Sequence, residues 1–258
     1  MANTTASHWS EPIIGDALGT GLLEQYRLLG TDVIIPEVVE RDDGYIDTDA
    51  SYRRYFDTYE HWSPLEQSAL QYAGPRVLDV GAAAGRAALH LQTTGRQVVA
   101  LDTSPGAIEV CRSRGVSVTH LGDISSLVHR GVQSFDTFLL LGHNYGLFSG
   151  RDTAETFLQS LSALAGERAT IIGTCLNRLA LTGRAHEAYV GQNRTMGRLP
   201  GQLRIRIRHR ELATEWFHYL LATPRELSAL AIANGWTSLK ILRHDTSGSY
   251  ALILQRTA

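Results

Sequence analysis

Small residues cluster where an apolar run ends in the first half of the chain. Residues 77–86 read VLDVGAAAGR, so a buried strand would end in a turn of small residues and open a helix. Small residues let the backbone approach a ligand closely, and a helix N-terminus offers free N–H groups with a partial positive charge. This pattern predicts a loop that surrounds a nucleotide-type ligand.

Two carboxylates accompany this loop. Asp79 lies two residues before Gly81, and Asp102 ends the next apolar run about twenty residues further on. A carboxylate at the second position can accept hydrogen bonds from two ribose hydroxyls. As an alternative, each aspartate could cap the helix that follows it. These residues alone therefore fit any α/β fold that binds a nucleotide.

The spacing of the glycines separates the candidate families. The loop lacks the G-x-G-x-x-G fingerprint of dinucleotide-binding proteins, and no Gly-Lys-Ser/Thr of a P-loop is present. The acid before the first glycine, and a second glycine four residues after it, resemble motif I of the class I S-adenosylmethionine-dependent methyltransferases. The pattern of that motif is hydrophobic-Asp/Glu-x-Gly-x-Gly-x-Gly. Ala83 stands where the family has its middle glycine.

The resemblance continues through residues 75–258 and implies a set of cofactor contacts. The turn LGDI at 121–124 is similar to the family's adenine-binding turn, and LLLGHNYG at 139–146 is similar to the end of its fourth strand. The residues that the resemblance implies for binding the methyl donor, S-adenosylmethionine, are Asp79, Gly81, Ala83, Gly85, Asp102, Thr103, Asp123, Ile124, Gly142 and Asn144. No metal site is predicted.

The residues after the fourth strand are the candidates for catalysis. Ligands of open α/β sheets bind beyond the carboxyl ends of the strands, and Gly142 gives the chain freedom to turn there. His143 is the candidate general base, because an unperturbed histidine pKa of ~6.5 allows proton acceptance at neutral pH. Its alternative is a structural role in the loop. Tyr145 or Asn144 is predicted to orient the methyl acceptor.

The acceptor class follows by exclusion. The Asp/Asn-Pro-Pro-aromatic tetrad of enzymes that methylate base amines is absent, and no Pro-Cys nucleophile follows the fourth strand. A net charge of -2 gives no electrostatic reason to expect nucleic-acid binding. The arginines at 204, 206, 208 and 210 alternate along a predicted strand, which we interpret as the solvent-exposed face of an edge or hairpin strand. Guiding an acidic substrate and binding a polynucleotide are the alternatives. A small-molecule acceptor remains.

The elements that must position these residues begin at residue 75. Apolar runs that alternate with helical patterns indicate a parallel sheet covered on both sides. The predicted strands are 76–80, 97–101, 116–121, 134–141, 169–174, 237–243 and 249–255. The predicted fold is α/β, with a Rossmann-like seven-stranded sheet that is mostly parallel, a reversed last strand and helices on both faces.

Two further segments are predicted to enclose the site. Residues 1–74 form an N-terminal helical lid, with helices at 15–29, 50–59 and 64–72. Residues 75–258 form the methyltransferase domain, with an antiparallel insertion at about 200–222 as the other wall of the site. Such a cover would exclude water from the reaction.

The sequence thus predicts an S-adenosylmethionine-dependent methyltransferase that acts on an oxygen or nitrogen of a small molecule, such as a bacterial natural product or metabolite. The alternatives are a cofactor-binding protein of the same fold without methyl transfer, or one that uses the cofactor to shape a pocket for another reaction. A nicotinamide-dependent dehydrogenase is the third choice. With two cysteines, no signal-peptide pattern and no apolar run of ~20 residues, we expect a cytoplasmic location and no membrane partner.

Overall fold

The computed structural model describes residues 11–129, 134–243 and 247–257. Its strands are β1 (Ile13–Ile14), β2 (Pro36–Arg41), β3 (Ile46–Ser51), β4 (Arg76–Val80), β5 (Gln97–Asp102), β6 (Thr119–Leu121), β7 (Phe135–Leu140), β8 (Ala165–Leu176), β9 (Gln202–His209), β10 (Leu212–Ala213), β11 (Phe217–Leu220), β12 (Trp236–Leu242) and β13 (Ser249–Arg256). Its α-helices are α1 (Ala17–Arg27), α2 (Pro64–Leu70), α3 (Arg86–Thr93), α4 (Pro105–Ser113), α5 (Ile124–His129), α6 (Arg151–Ala163), α7 (Arg184–Thr195) and α8 (Pro224–Ile232). Short 3-10 helices lie at Tyr52–Phe56, Tyr59–His61, Asn144–Phe148 and Arg178–Ala180.

The larger sheet of the described residues has seven strands in the order β12-β13-β8-β7-β4-β5-β6. Strands β8, β7, β4, β5 and β6 pair in parallel, whereas β13 is antiparallel to both of its neighbours. The predicted seven-stranded, mostly parallel sheet with a reversed last strand is therefore confirmed.

Alternation along the central strands explains why helices cover both faces of this sheet. Leu78 and Val80 of β4 belong to one apolar cluster, with residues of α5, α6 and α8. Val77 belongs to a second cluster, with residues of α2, α3 and α4. Successive side chains of a strand point to opposite faces, so each apolar run supplies both cores at once.

A smaller sheet joins the N-terminal segment to the late insertion. Its order is β1-β10-β9-β2-β3, and β11 pairs with β9 as well. The predicted antiparallel insertion is present, since β9 pairs antiparallel with β10 and β11. Strand β9 also pairs with β2, so the N-terminal segment and the insertion form one cover rather than two walls.

The structure corrects two expectations about this cover. Strand β9 is interior rather than an edge, and Arg206 and Arg208 are buried against Glu40 instead of lying on a wet face. The helix expected at 50–59 is the end of β3 followed by two 3-10 helices, so the N-terminal segment combines helices with strands. The first ten residues of the predicted lid lie outside the described residues. Across the described ranges, every helix is too short or too polar to cross a bilayer.

Candidate active site

A large cavity lies between the carboxyl ends of the parallel strands and the inner face of the smaller sheet. Its volume is about 1890 Å³. On one side it is lined by Gly81, Asp102 and His143, and on the other by Val39 and Ile205. Pockets for one small ligand usually measure roughly 300–1,000 Å³, so this cavity has room for two small ligands side by side.

The small-residue loop closes one side of the cavity through backbone hydrogen bonds. Gly81 and Gly85 have φ of 71° and 74°, and Ala83 adopts a φ of 49°, in the left-handed region that L-residues rarely visit. The Ala83 N–H donates to Asp102 Oδ2 at 2.9 Å, and Asn144 Nδ2 donates to the carbonyls of Val80 and Gly81. These bonds hold the loop in shape although alanine replaces the family's middle glycine.

Asp79 and Asp102, two of the three aspartates predicted to bind the cofactor, both line the cavity. Asp102 is buried and already accepts from Ala83 N and Ser104 N, with one bond to each carboxylate oxygen. Burial raises the pKa of Asp102, and it raises the pKa of Asp79 to about 7. Asp79 Oδ2 is a buried oxygen without a hydrogen-bond partner among the described residues. A buried acceptor without a donor carries a free-energy cost, which a ligand donor would remove.

The other predicted contacts divide into cavity-lining and core positions. Thr103, Asp123, Ile124 and Gly142 line the cavity. Asp123 is exposed and accepts from Ser125 Oγ and Ser126 N at the start of α5, and these hydrogen bonds lower its pKa. Gly85 does not line the cavity. A Cβ at Gly85 would meet Val116 Cγ2 at 2.8 Å and Cys111 Sγ at 3.0 Å, so this glycine faces the core rather than a ligand.

His143 lies where the larger sheet meets the smaller one. Its φ of 69° is left-handed, its N–H donates to Thr174 Oγ1 at 2.8 Å, and its carbonyl accepts from Tyr219 Oη at 2.7 Å. The ring Nε2 is 3.1 Å from Ser249 Oγ. Burial, and the positive charges of Arg54 and Arg86, lower the pKa of His143. The imidazole is therefore neutral at neutral pH and faces the cavity with one nitrogen already engaged.

The structure overturns the predicted role of Tyr145. Its side chain is fully buried in the core, where its hydroxyl donates to the Leu252 carbonyl at 2.8 Å. It does not line the cavity. In the 3-10 helix Asn144–Phe148 neighbouring side chains diverge, so Asn144 turns toward the loop while Tyr145 enters the core.

Comparison with known proteins agrees with this geometry. The family model described as a methyltransferase domain matches residues 77–166, from β4 to the start of β8. The chain contains a methyltransferase domain. The predicted resemblance to class I S-adenosylmethionine-dependent methyltransferases is thereby confirmed. No curated protein sequence matches the chain.

Solved structures share the fold of this methyltransferase at low sequence identity. An S-adenosylmethionine-dependent methyltransferase from Bacteroides fragilis, crystallised with S-adenosylhomocysteine, has a TM-score of 0.77 and 21% identity, covering 96% of this chain and 99% of that chain. The CcbJ methyltransferase from Streptomyces caelestis has a TM-score of 0.57 and 18% identity, covering 79% and 98%. The 1,6-didemethyltoxoflavin-N1-methyltransferase from Burkholderia thailandensis has a TM-score of 0.53 and 17% identity, covering 97% and 94%.

A charged network beside the loop of this methyltransferase was missed by sequence reasoning. Glu66 Oε1 accepts from Arg86 Nη2 at 2.5 Å and from the Gly142 N–H at 3.2 Å. Arg86 also stacks over the ring of Trp62, with 4.5 Å from its Cζ to the ring centroid. The sequence pointed to only one member of this network. Arg86 directly follows Gly85 and so adjoins the glycine motif. Glu66 lies at the start of a helix, where ordinary capping already explains an acidic residue.

A second missed cluster lies on the smaller sheet. Glu37 of β2 is buried and accepts from Arg54 and Tyr55, and all three residues line the cavity. Arg54 and Tyr55 lie 17 and 18 positions after Glu37, and no sequence motif connects the three residues.

Proposed function

We propose that this methyltransferase moves the methyl group of S-adenosylmethionine to an oxygen or nitrogen atom of a small molecule. The observation that carries the proposal is one continuous cavity that joins Asp79 and Asp102 to His143 under a separate cover. Further support comes from the Burkholderia relative, whose structure contains a small-molecule substrate and S-adenosylhomocysteine together. The cavity volume of about 1890 Å³ is sufficient for a donor and an acceptor at once.

The residues present fit the donor. The unpartnered Asp79 Oδ2 suits an ammonium or hydroxyl donor, and Asp102 retains lone pairs for ribose hydroxyls beyond its two backbone bonds. Gly81 lets Asn144 approach and hold the loop, because a Cβ there would meet Asn144 Nδ2 at 2.6 Å. When bound, S-adenosylmethionine would supply an electrophilic methyl group. Asp79, Asp102 and the 81–83 backbone would hold it.

His143 would accept the proton that the acceptor loses. Its lowered pKa keeps it neutral, and with Nε2 bonded to Ser249 Oγ, Nδ1 makes no hydrogen bond with the described residues. Nδ1 is then the nitrogen available to a hydroxyl or amine of the acceptor. Positioning of the reacting groups would supply most of the acceleration, up to roughly 7–11 kcal/mol in favourable cases. Strands β2, β9 and β11 would exclude water above the site.

The cover also supports the domain division as a proposal. Residues 1–74 contribute β2 and β3, and the insertion at about 200–222 contributes β9 to β11, so acceptor recognition would belong to the segments outside the core methyltransferase domain. A cytoplasmic location is proposed because Cys111 and Cys175 are both free and buried.

Two measurements test the function. Isothermal titration with S-adenosylhomocysteine should show one site per chain, and methyl transfer from labelled S-adenosylmethionine to a panel of small hydroxyl and amine compounds should be detectable. Titration with NADH should show no binding. Cofactor binding without transfer across the whole panel would favour the non-catalytic alternative, and absence of cofactor binding would contradict the proposal itself.

A further inference from the structure

The buried cluster on the smaller sheet, formed by Glu37, Arg54 and Tyr55, has a built geometry. Arg54 Nη2 donates to Glu37 Oε2 at 2.5 Å and to Tyr55 Oη at 3.1 Å. Tyr55 Oη in turn donates to Glu37 Oε1 at 2.9 Å. The Glu37 side chain is 4% exposed, so the guanidinium is held from behind by a buried carboxylate whose two oxygens are both used.

Arg54 itself is only partly used by this cluster. Its side chain is 50% exposed, and its hydrogen bonds to described residues all involve Nη2. The N–H groups of Nε and Nη1 therefore stay available from the cavity, which Arg54 lines. A guanidinium that is fixed by one carboxylate and open on its other edges is preorganised for a second planar partner.

The cluster lies on the acceptor side of the site, close to His143. The positive charge of Arg54 contributes to the lowered pKa of His143, so the two groups are near enough to interact. Tyr219 connects the same region, because its hydroxyl donates to the His143 carbonyl at 2.7 Å. The donor loop, by contrast, is lined by Asp79 and Asp102 on the opposite sheet.

We propose that Arg54, positioned by Glu37, binds a carboxylate group of the methyl acceptor, an inference that rests on the proposed function. The guanidinium fork matches a carboxylate in a bidentate arrangement, which a lysine or a neutral amide cannot reproduce. The same side of the cavity carries the apolar side chains of Val39, Ile205 and Phe217, together with the acidic side chains of Asp47 and Asp49. The acceptor would therefore combine an apolar part with the carboxylate that Arg54 binds.

Matched pairs of carboxylates and carboxamides test this assignment. Benzoate and benzamide, 2-hydroxybenzoate and 2-hydroxybenzamide, and 3-phenylpropanoate and 3-phenylpropanamide would be titrated into the protein saturated with S-adenosylhomocysteine. In at least one pair we expect the carboxylate to bind tenfold or more tightly than its amide. Arg54→Gln should abolish that preference, and Arg54→Lys should reduce it, since lysine keeps the charge but loses the fork.

Arg53→Gln is the matched control, because Arg53 donates to the Thr31 carbonyl and does not line the cavity. It should keep the carboxylate preference in full. The assignment is overturned if no pair shows a carboxylate preference, or if Arg54→Gln retains it while still binding S-adenosylhomocysteine normally. Loss of S-adenosylhomocysteine binding in the wild-type protein would instead contradict the proposed function, so the two failures are distinguishable.

Discussion

The two sides of the cavity are built in different ways. On the donor side, most polar groups pair with backbone: Asp102 accepts from Ala83 N and Ser104 N, and Asn144 donates to the carbonyls of Val80 and Gly81. The Glu66–Arg86 ion pair is the exception described above. On the acceptor side, charged side chains pair with each other, as Glu37 does with Arg54. Bonds to the backbone make the donor side depend on the conformation of the loop. Pairs of side chains can be replaced without altering the backbone, so the acceptor side can change its specificity by substitution.

This difference makes the two sides separable by experiment. Substitutions on the donor side should change the affinity for S-adenosylhomocysteine or the stability of the free protein. Substitutions on the acceptor side should change turnover and leave cofactor affinity intact.

His143→Ala acts where the two sides meet and should have the largest effect on turnover. If His143 accepts the acceptor's proton, kcat should fall by roughly 10²–10⁴, with cofactor affinity nearly unchanged. The acidic limb of the pH–rate profile, which the lowered pKa places below the ordinary histidine range, should disappear. A rise in KM with kcat preserved would show a positioning role instead, and wild-type kinetics would leave His143 structural.

Asp79→Asn should stabilise the free protein while weakening cofactor binding. Because burial raises the pKa of Asp79 to about 7, the folded state keeps a proton that the unfolded state releases above its pKa of ~3.9. Wild-type stability therefore falls as pH rises from about 4 to about 7, by at most about 4 kcal/mol. Asp79→Asn has no titratable group at this position, so its stability should not fall in this way.

Thermal unfolding at pH 4.5 and at pH 8 checks this expectation, because most of the stability loss caused by Asp79 should occur between these two pH values. Asp79→Asn should gain most over wild type at pH 8, and little at pH 4.5. Asp136→Asn is the control, because Asp136 pairs with Arg76 at 2.8 Å and its pKa is lowered, so no stabilisation at pH 8 is expected. Equal unfolding temperatures for wild type and Asp79→Asn at pH 8 would show that the buried Asp79 carboxylate does not destabilise the free protein.

The same contrast explains what sequence reading could reach. The parallel sheet was predictable because its strands are apolar on both faces and end in glycine or acidic turns, and Asp79, Asp102 and His143 follow from that register. The smaller sheet was not predictable in the same way, because the arginines of β9, taken without their partners, suggest a solvent-exposed face. Their partner Glu40 lies 166 residues from Arg206, a pairing that no local pattern encodes.

Gly85 and Tyr145 show a second limit. Gly85 belongs to the motif, but whether a glycine serves a ligand or a packing contact depends on what its missing side chain would meet, here Val116 and Cys111. Tyr145 is next to a residue that turns toward the loop, and a short 3-10 helix offers no periodicity from which to infer which side chain is buried.

Asp102→Asn tests the donor side directly. The amide cannot accept from both Ala83 N and Ser104 N while serving a ribose hydroxyl, and hydrogen bonds to a charged group are worth about 1.5–3 kcal/mol each. The dissociation constant for S-adenosylhomocysteine should rise tenfold or more in calorimetry. Asp47→Asn, an exposed position of β3 on the other side of the cavity, should leave it unchanged. Equal affinities in the two variants would contradict the ribose assignment.

Tyr219→Phe should have the smallest effect, confined to the acceptor side. The hydroxyl of Tyr219 holds the smaller sheet to the His143 carbonyl at 2.7 Å, and its loss leaves that carbonyl without this donor, at a cost of about 1 kcal/mol. We expect kcat/KM to fall about fivefold, because that cost corresponds to roughly this factor, with S-adenosylhomocysteine affinity unchanged.

Tyr250→Phe separates this effect from a general loss of stability. Tyr250 donates to the Ala222 carbonyl at 3.0 Å inside the core, away from the cavity, so its phenylalanine variant should lower the unfolding temperature without changing kcat/KM. If Tyr219→Phe also lowered cofactor affinity, the two sides of the cavity would be coupled through His143. The backbone of His143 would then transmit the position of the smaller sheet to the Gly81 loop, because Asn144, the next residue, donates to the Gly81 carbonyl at 3.1 Å.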